Sequence, residues 1–191
     1  MKKFKRKGKV VVSRLDSYEV ELLESLVQQL VEMVSEGEPQ NFTTQPESDD
    51  PFEMWARDLQ ADPDEPEASE DPVLQRLFPN AYPHDPDAAS DFRRFTEHDL
   101  KVRKISEAQL VLQRLQDTDR GARDVRIPLD EADQWLRTLT SVRLAVATRL
   151  GITDAESADE LAELPEDDPR AFMVSVYDWL GFAQETLVTA L

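Results

Sequence analysis

The sequence predicts a mostly α-helical domain: an irregular bundle of about four long amphipathic helices with a small N-terminal β-hairpin. Apolar residues recur at three- and four-residue spacing over four long stretches of the 191 residues, which is the period of a helix with one buried face. The 12 prolines fall mainly between those stretches, and the 5 glycines are isolated. A run of valines near the N-terminus has high strand propensity.

Residues 3–13 are expected to form the hairpin. Phe4 and the valines at 10–12 flank Gly8, where glycine tolerates the positive φ of a tight turn. An isolated hairpin is only marginally stable in water, so we expect this one to lie on the helical body. Residues 125–127 are extended in character, since Ile127 directly precedes a proline that disfavours a helical conformation there, and they could add a third strand.

The first long helix is predicted to begin after Asp16, because Asp16 and Glu19 have the spacing of a capping box. Gly37 and a proline two residues later are expected to end it. Its expected core-facing stripe is Leu15, Tyr18, Leu22, Leu26, Leu30 and Met33, widened by Leu23, Val27, Val31 and Val34.

The same signals predict the later helices. These comprise one starting at Asp71, one over 87–117, one over 130–150, one over 154–163 and one with Pro169 in its first turn. Gly151 is expected to end the helix over 130–150 in a left-handed conformation. Val102, Trp135, Trp179 and Leu191 fall on apolar stripes and are expected to face the core.

Charge divides the chain into three parts. The net charge is −18, yet residues 1–9 carry six basic side chains and no acidic one. Residues 36–71 hold thirteen acids and one arginine, a composition that cannot bury enough apolar surface to offset the entropy of ordering. We therefore expect residues 1–36 to form one domain with residues 72–191, joined by a disordered acidic linker at 37–71.

Several kinds of functional site find no support in the sequence. Without cysteine there is no thiol nucleophile and no disulfide switch. His84 and His98 lack partners at metal-ligand spacing, and no glycine-rich loop could cradle a phosphate. We therefore expect no catalytic, cofactor-binding or metal site. A signal peptide and a run of about 20 apolar residues are also missing, so a cytoplasmic location is expected.

The basic N-terminal arm is the first candidate binding surface. It could lie on phosphates or on an acidic protein surface, or it could only keep the chain soluble and guard a sheet edge. A second basic group lies on the helix over 87–117 among acidic residues, so its alternative interpretation is a salt-bridged face. The candidate contact residues are Lys3, Lys5, Arg6, Lys7, Lys9, Arg93, Arg94 and Arg103.

An apolar island interrupts the acidic linker. Phe52, Trp55 and Leu59 are spaced i, i+3 and i+7, which places them on one face of two helical turns. Acidic flanks around aromatic anchors are typical of segments that dock as a helix into a partner's groove. The alternative is that the island packs on its own domain.

Five segments carry a resemblance to a known family. They are residues 71–82 (DPVLQRLFPNAY), 92–97 (FRRFTE), 135–144 (WLRTLTSVRL), 148–152 (TRLGI) and 177–187 (YDWLGFAQETL). With the basic hairpin and the acidic linker, they resemble an actinobacterial family, the AosR-like oxidative-stress transcriptional regulators, long catalogued as a domain of unknown function. The resemblance covers nearly the whole chain except the linker.

The resemblance implies a non-enzymatic regulator of transcription in the oxidative-stress response. It would bind a protein, either a sigma factor or RNA polymerase, with promoter DNA as a second target. The alternatives are a proteolysis-linked adaptor, a structural interaction protein without DNA binding, and a small hydrolase. A homodimer could form by pairing of two hairpin edges.

Redox sensing in such a regulator would naturally use a pair of thiols. This chain has no cysteine, so that step has no residues to carry it here. Apart from Met1, its sulfur atoms belong to Met33, Met54 and Met173, and oxidation of methionine is the substitute hypothesis.

Overall fold

A computed structural model of the protein describes residues 1–35, 69–82, 84–165 and 167–191. In this part of the chain, a three-stranded sheet accompanies seven α-helices. The mostly α-helical fold predicted from the sequence, with its small N-terminal sheet, is confirmed. The predicted linker at 37–71 falls almost entirely outside the described residues.

The elements follow one another in a simple order. They are β1 (Lys5–Lys7), β2 (Val10–Ser13), α1 (Ser17–Ser35), α2 (Pro72–Leu77), α3 (Pro86–Phe92), α4 (His98–Gln116), β3 (Val125–Pro128), α5 (Ala132–Leu150), α6 (Ala155–Ala162) and α7 (Ala171–Thr189). A π-helical turn joins α3 to α4, and a 3-10 turn joins β3 to α5.

The three strands form one antiparallel sheet in the order β1-β2-β3. Gly8 at the hairpin tip has a φ of 66°, the left-handed conformation that the sequence predicts there. The third strand predicted near residues 125–127 is confirmed. It pairs with β2 and so converts a marginal hairpin into a sheet of three strands.

The start of α1 is fixed by its own sequence. The N–H of Glu19 donates to the Asp16 carboxylate at 2.9 Å, and the N–H of Asp16 donates to the Glu19 carboxylate at 2.9 Å, which confirms the capping box. The predicted core-facing stripe is partly wrong, since Tyr18 is 58% exposed and Val20 is buried. Apolar residues surround most of α1, so packing against α4 and α5 selects the buried face.

The helix predicted over residues 87–117 is present as one continuous helical stretch that contains a π-helical turn. α3 begins behind Asp85, whose carboxylate accepts a bond from a backbone N–H at 3.0 Å. The π-helical turn at Arg93–Glu97 then precedes α4. Val102, predicted to face the core, is 44% exposed, because it lies about 2.5 turns before the fully buried Val111 on α4 and so faces the opposite side of that helix.

The last two long helices begin and end at local signals. Gly151 ends α5 with a φ of 78°, as predicted. The predicted place of Pro169 is wrong: it lies in a turn before α7, where Asp168 accepts a bond from the N–H of Arg170 at 2.8 Å. Leu191, expected to face the core, follows α7 and is 42% exposed.

One hydrophobic core joins elements from both sides of the undescribed segment. Trp135 of α5 is fully buried, as predicted, in a cluster with side chains from the sheet, α1, α4 and α7. Phe4 belongs to the same cluster and is only 6% exposed, so it anchors the hairpin on the bundle as expected. The sheet is therefore a rigid part of the body.

Candidate functional site: the outer face of the sheet

Strand pairing sorts the basic residues of the hairpin onto two faces. Lys5 pairs with Val12, which pairs with Arg126, and directly paired side chains share a face. Because side chains alternate along a strand, Lys7 lies on the same face as Lys5. All three cations are exposed. We call the surface formed by Lys5, Lys7 and Arg126 the basic sheet face.

Arg6 lies on the opposite face, which also carries the fully buried Val11 and Ile127. Its guanidinium donates to the backbone carbonyl of Leu191 at 2.6 Å and to that of Gly8 at 3.3 Å. These bonds hold Arg6 against the chain that follows α7. The sequence predicted Arg6 as a contact residue, and the structure sets it apart from the basic sheet face.

Lys3 and Lys9 extend the basic region beyond the strands. Lys3 precedes β1 and Lys9 follows the tip of the hairpin, and both side chains are exposed. The carbonyl of Lys9 accepts a bond from the N–H of Leu129 at 3.1 Å, so the tip is tied to the chain after β3. Both lysines thus lie next to the strands of the sheet.

Arg126 is the residue that sequence reasoning missed. Val125 and Ile127 are fully buried, while Arg126 between them is exposed, which is the alternation of a strand with one buried face. That alternation was a signal for an outward-facing arginine. The sequence did not reveal that Arg126 would stand in the same row as Lys5.

Arg14 has an ion-pair partner, whereas the cations of the basic sheet face have none among the described residues. Arg14 lies 3.5 Å from the Asp124 carboxylate and donates to the Ala122 carbonyl at 2.9 Å, so its charge is offset locally. Lys5, Lys7 and Arg126 form no ion pair with an acidic side chain of the described residues. Within the described residues, the charge of Arg14 is thus offset by an acidic side chain, whereas no ion pair offsets the charges of the basic sheet face.

The second predicted basic group is remote from the sheet. Arg103 is exposed on α4, 13 residues before its last residue, roughly 20 Å along the axis at 1.5 Å per residue. Arg93 lies a further ten residues back, on the π-helical turn. The side chain of Arg94 lies outside the described part. The structure does not bring this group together with the hairpin.

Neighbouring lysines of α4 have partners within the protein. Lys101 forms an ion pair with Glu97 at 3.0 Å, as the salt-bridged interpretation of this face expects. Lys104 donates to the hydroxyl of Ser141 at 3.0 Å, and burial lowers the pKa of its ammonium. These contacts join α4 to its surroundings and leave less charge for an external ligand.

A groove of about 560 Å³ between α4 and α5 is lined by Arg103, Glu107 and Arg137, among others. Glu107 is 7% exposed and accepts a bond from Arg137 at 2.9 Å. This hydrogen bond also raises the pKa of the Arg137 guanidinium. Glu107 and Arg137 thus form an ion pair that joins α4 to α5.

Features of a metal site or of a membrane span are not present in the described residues. In the described ranges, no three histidine, aspartate or glutamate side chains are arranged to hold a metal ion. His84 and His98 are both exposed. No helix of that part of the chain is long and apolar enough to cross a membrane. The predicted docking motif lies outside the described residues; it comprises Phe52, Trp55 and Leu59.

Comparison with protein families decides the relationship. A family model described as a domain of unknown function, DUF2017, matches residues 1–191. The chain belongs to this family. The membership agrees with the family resemblance carried by the five segments of the sequence. The matched residues include both the basic sheet face and the helical bundle.

Several relatives of known name come from mycobacteria. AosR of Mycobacterium leprae is 34% identical over 137 residues, which cover 64% of this chain and 59% of that protein. The oxidative stress regulators AosR of Mycobacterium bovis and Mycobacterium tuberculosis are each 30% identical over 135 residues, covering 63% of this chain and 58% of theirs. The matched part is thus less than three-fifths of each relative's length. No solved structure matches the chain.

Proposed function

We propose that the chain is a non-enzymatic regulator of the oxidative-stress response that binds an acidic protein surface through its basic sheet face. The names of the mycobacterial relatives support the link to oxidative stress. The resemblance to transcriptional regulators supports a partner in the transcription apparatus, a sigma factor or RNA polymerase. The proposal is carried by one observation: Lys5, Lys7 and Arg126 stand together on a fixed sheet in a chain of net charge −18.

The rigidity of this face favours binding. Phe4 and the third strand hold the backbone in place, so a partner orders only the ends of three side chains. Less conformational freedom is then lost on association. A positive face on an otherwise acidic protein also orients the approach of a partner that carries a local negative patch.

The position of β1 favours a different protein, and not a second copy of this chain, as the binding partner. β1 is an edge strand of the sheet, and the backbone of an edge strand can pair with an added strand from a partner. All three of its residues are basic and exposed, so two copies would repel each other at this edge. An acidic segment would be attracted instead.

Promoter DNA is the other class of partner, and charge speaks against it as the main one. A net charge of −18 repels a long polyanion, whereas a protein can present a local acidic patch to the basic sheet face. Three phosphate contacts would also give weak binding, with a slope of log K against log salt of about −3. DNA binding therefore predicts a distinct and measurable salt dependence.

The test is binding of the full chain to purified mycobacterial RNA polymerase and, separately, to its sigma factors. The triple variant Lys5→Gln, Lys7→Gln, Arg126→Gln should weaken the complex by roughly tenfold, equivalent to about 1.4 kcal/mol. A matched comparison is Arg126→Gln against Arg103→Gln, because each removes one exposed arginine. Only the first should weaken binding.

Three outcomes would count against the proposal. Unchanged binding by the triple variant removes the basic sheet face from the interface. A greater effect of Arg103→Gln moves the interface to α4. Tight binding to promoter DNA, with a steep salt slope and loss in the triple variant, replaces the protein partner by DNA.

A further inference from the structure

The fold brings together two methionines that are far apart in the sequence. Met33 near the end of α1 and Met173 in the first turn of α7 line one groove of about 320 Å³. Both side chains are partly buried, with one side packed on the hydrophobic core. In a chain without cysteine, this groove collects two of the four methionines.

Both apolar and polar residues line the groove. Its inner lining is apolar and includes Leu30 and Val146, while Glu32 and Arg149 stand among its polar lining residues. A volume of about 320 Å³ exceeds the roughly 30 Å³ that one water molecule occupies in the liquid. A molecule the size of hydrogen peroxide therefore fits beside the thioethers.

We propose that Met33 and Met173 form an oxidant-accepting site, and that their oxidation by hydrogen peroxide loosens the packing of α1 and α7 on the core. The proposal deepens the proposed function, because it gives a cysteine-free stress regulator a place to register the oxidant. Its chemistry and its effect on stability can be measured without any partner.

The reaction at each sulfur is a two-electron oxygen transfer. The thioether sulfur attacks one peroxide oxygen, an S–O bond forms and the O–O bond breaks. The departing hydroxide takes up the proton of the transferred oxygen and leaves as water. Sulfur is oxidised to the sulfoxide and the peroxide is reduced.

The sulfoxide changes how the groove packs. Methionine is an apolar, adaptable side chain, whereas its sulfoxide is polar and needs hydrogen-bond partners. Met33 and Met173 each contact core residues on one side, so a polar group there disfavours the packed state. α1 and α7 are both parts of the main core, and weaker packing at their ends lowers the stability of the whole bundle.

Met1 provides an internal control. Its side chain is 1% exposed beneath the sheet, so the fold should protect it. Graded peroxide treatment of the folded protein, followed by peptide mass spectrometry, should give sulfoxide at Met33 and Met173 roughly tenfold faster than at Met1. The rates should converge in urea. Equal rates for the three residues in the folded protein would overturn the site.

The effect on packing is tested with Met33→Leu, Met173→Leu, a double substitution that nearly conserves side-chain volume. Peroxide should lower the Tm of the wild type by roughly 2–4 °C, and the double variant should show no such shift. Met54→Leu is the matched control and should keep the shift. Recovery of the Tm with methionine sulfoxide reductases should follow.

Two further results separate this proposal from the proposed function. An equal Tm shift in the double variant would overturn the inference about Met33 and Met173 and leave the basic sheet face untouched. The triple variant of the basic sheet face should be oxidised at the wild-type rates even if it binds no partner. A changed pattern of oxidation in that variant would contradict an independent methionine site.

Discussion

The guanidinium of Arg114 donates to both carboxylate oxygens of Glu131, through Nε at 2.8 Å and also through Nη2. This pair joins the last turn of α4 to the 3-10 turn that leads into α5, on either side of β3. It holds both ends of the segment that carries the third strand. The hydrogen bonding of Arg114 to the Glu131 carboxylate is also the main cause of the raised pKa of Arg114.

Breaking this pair should destabilise the protein. We expect Arg114→Met and Glu131→Gln each to lower the free energy of unfolding by about 1.5–3 kcal/mol, the range for hydrogen bonds to charged groups. Urea unfolding of both single variants and of the double variant measures the interaction free energy between the two side chains. The control pair is Asp119 and Arg123, 3.9 Å apart and 69% exposed each, which should contribute less than about 0.5 kcal/mol. Equal coupling in the two pairs would refute the argument.

Gly121 should tolerate no side chain. Its φ is 80°, and a Cβ there would lie 2.8 Å from the carbonyl carbon of Asp16 and 2.9 Å from the nitrogen of Ser17. Gly121→Ala must therefore displace the start of α1 as well as strain its own backbone, at a combined cost of about 2–4 kcal/mol. Gly8→Ala shares the positive φ but meets nothing within 4 Å, so it should cost only about 1–2 kcal/mol. Thermal unfolding compares them, and equal losses would show that the close approach is unimportant.

Asp71 should make part of the stability depend on acid pH. The N–H of Val73 lowers the pKa of this carboxyl below its ordinary 3.8, and a hydrogen bond from Arg149 lowers it further. Because the folded pKa lies below the unfolded one, the stabilisation is present above about pH 4 and is lost as the pH falls through the folded pKa. Asp71→Asn should therefore make the free energy of unfolding depend less on pH between pH 5 and pH 2.

Urea midpoints measured across that pH range provide the test. Arg149→Gln should flatten the curve less than Asp71→Asn, because the backbone N–H of Val73 remains in place as the larger cause. Asp71→Ala removes the cap of α2 as well and should cost about 1 kcal/mol at pH 7. A wild-type curve that Asp71→Asn leaves unchanged would contradict this role.

Lys104 should lower stability while it is charged. Burial lowers the pKa of its ammonium below the ordinary 10.5, so the unfolded chain binds this proton more tightly than the folded one. Stability should therefore rise as the pH passes from the folded pKa to the unfolded value. Lys104→Met keeps the apolar stem and should leave stability at pH 7 equal or higher.

A second substitution at this contact should act in the opposite direction. Ser141→Ala removes the acceptor of the Lys104 ammonium, which lies 3.0 Å away, and so leaves a partly buried charge with one partner fewer. A loss of about 1–2 kcal/mol is expected. Thermal unfolding at pH 7 compares the variants. A greater loss for Lys104→Met than for Ser141→Ala would show that the ammonium stabilises the fold.

Local signals in the sequence determined where most elements begin and end. The capping box of Asp16 and Glu19, the turn glycine Gly8 and the left-handed Gly151 act within about four residues along the chain, so they can be recognised without knowing the fold. The third strand was also predictable, because its valine and isoleucine alternate with an arginine ahead of a proline. These signals were enough for the fold class and for the basic residues of the hairpin.

Only the tertiary structure decided which residues meet. Tyr18 lies on a helix that is apolar around most of its surface, and packing on other helices turned it outward. Arg126 joins Lys5 through the pairing of β2 with β3, and Arg6 leaves that group because its alternate position turns it to the other face. Met33 and Met173 share a groove because two helices distant in sequence pack on one core. Periodicity fixes spacing along one element, whereas contacts between elements depend on long-range packing, which no local pattern encodes.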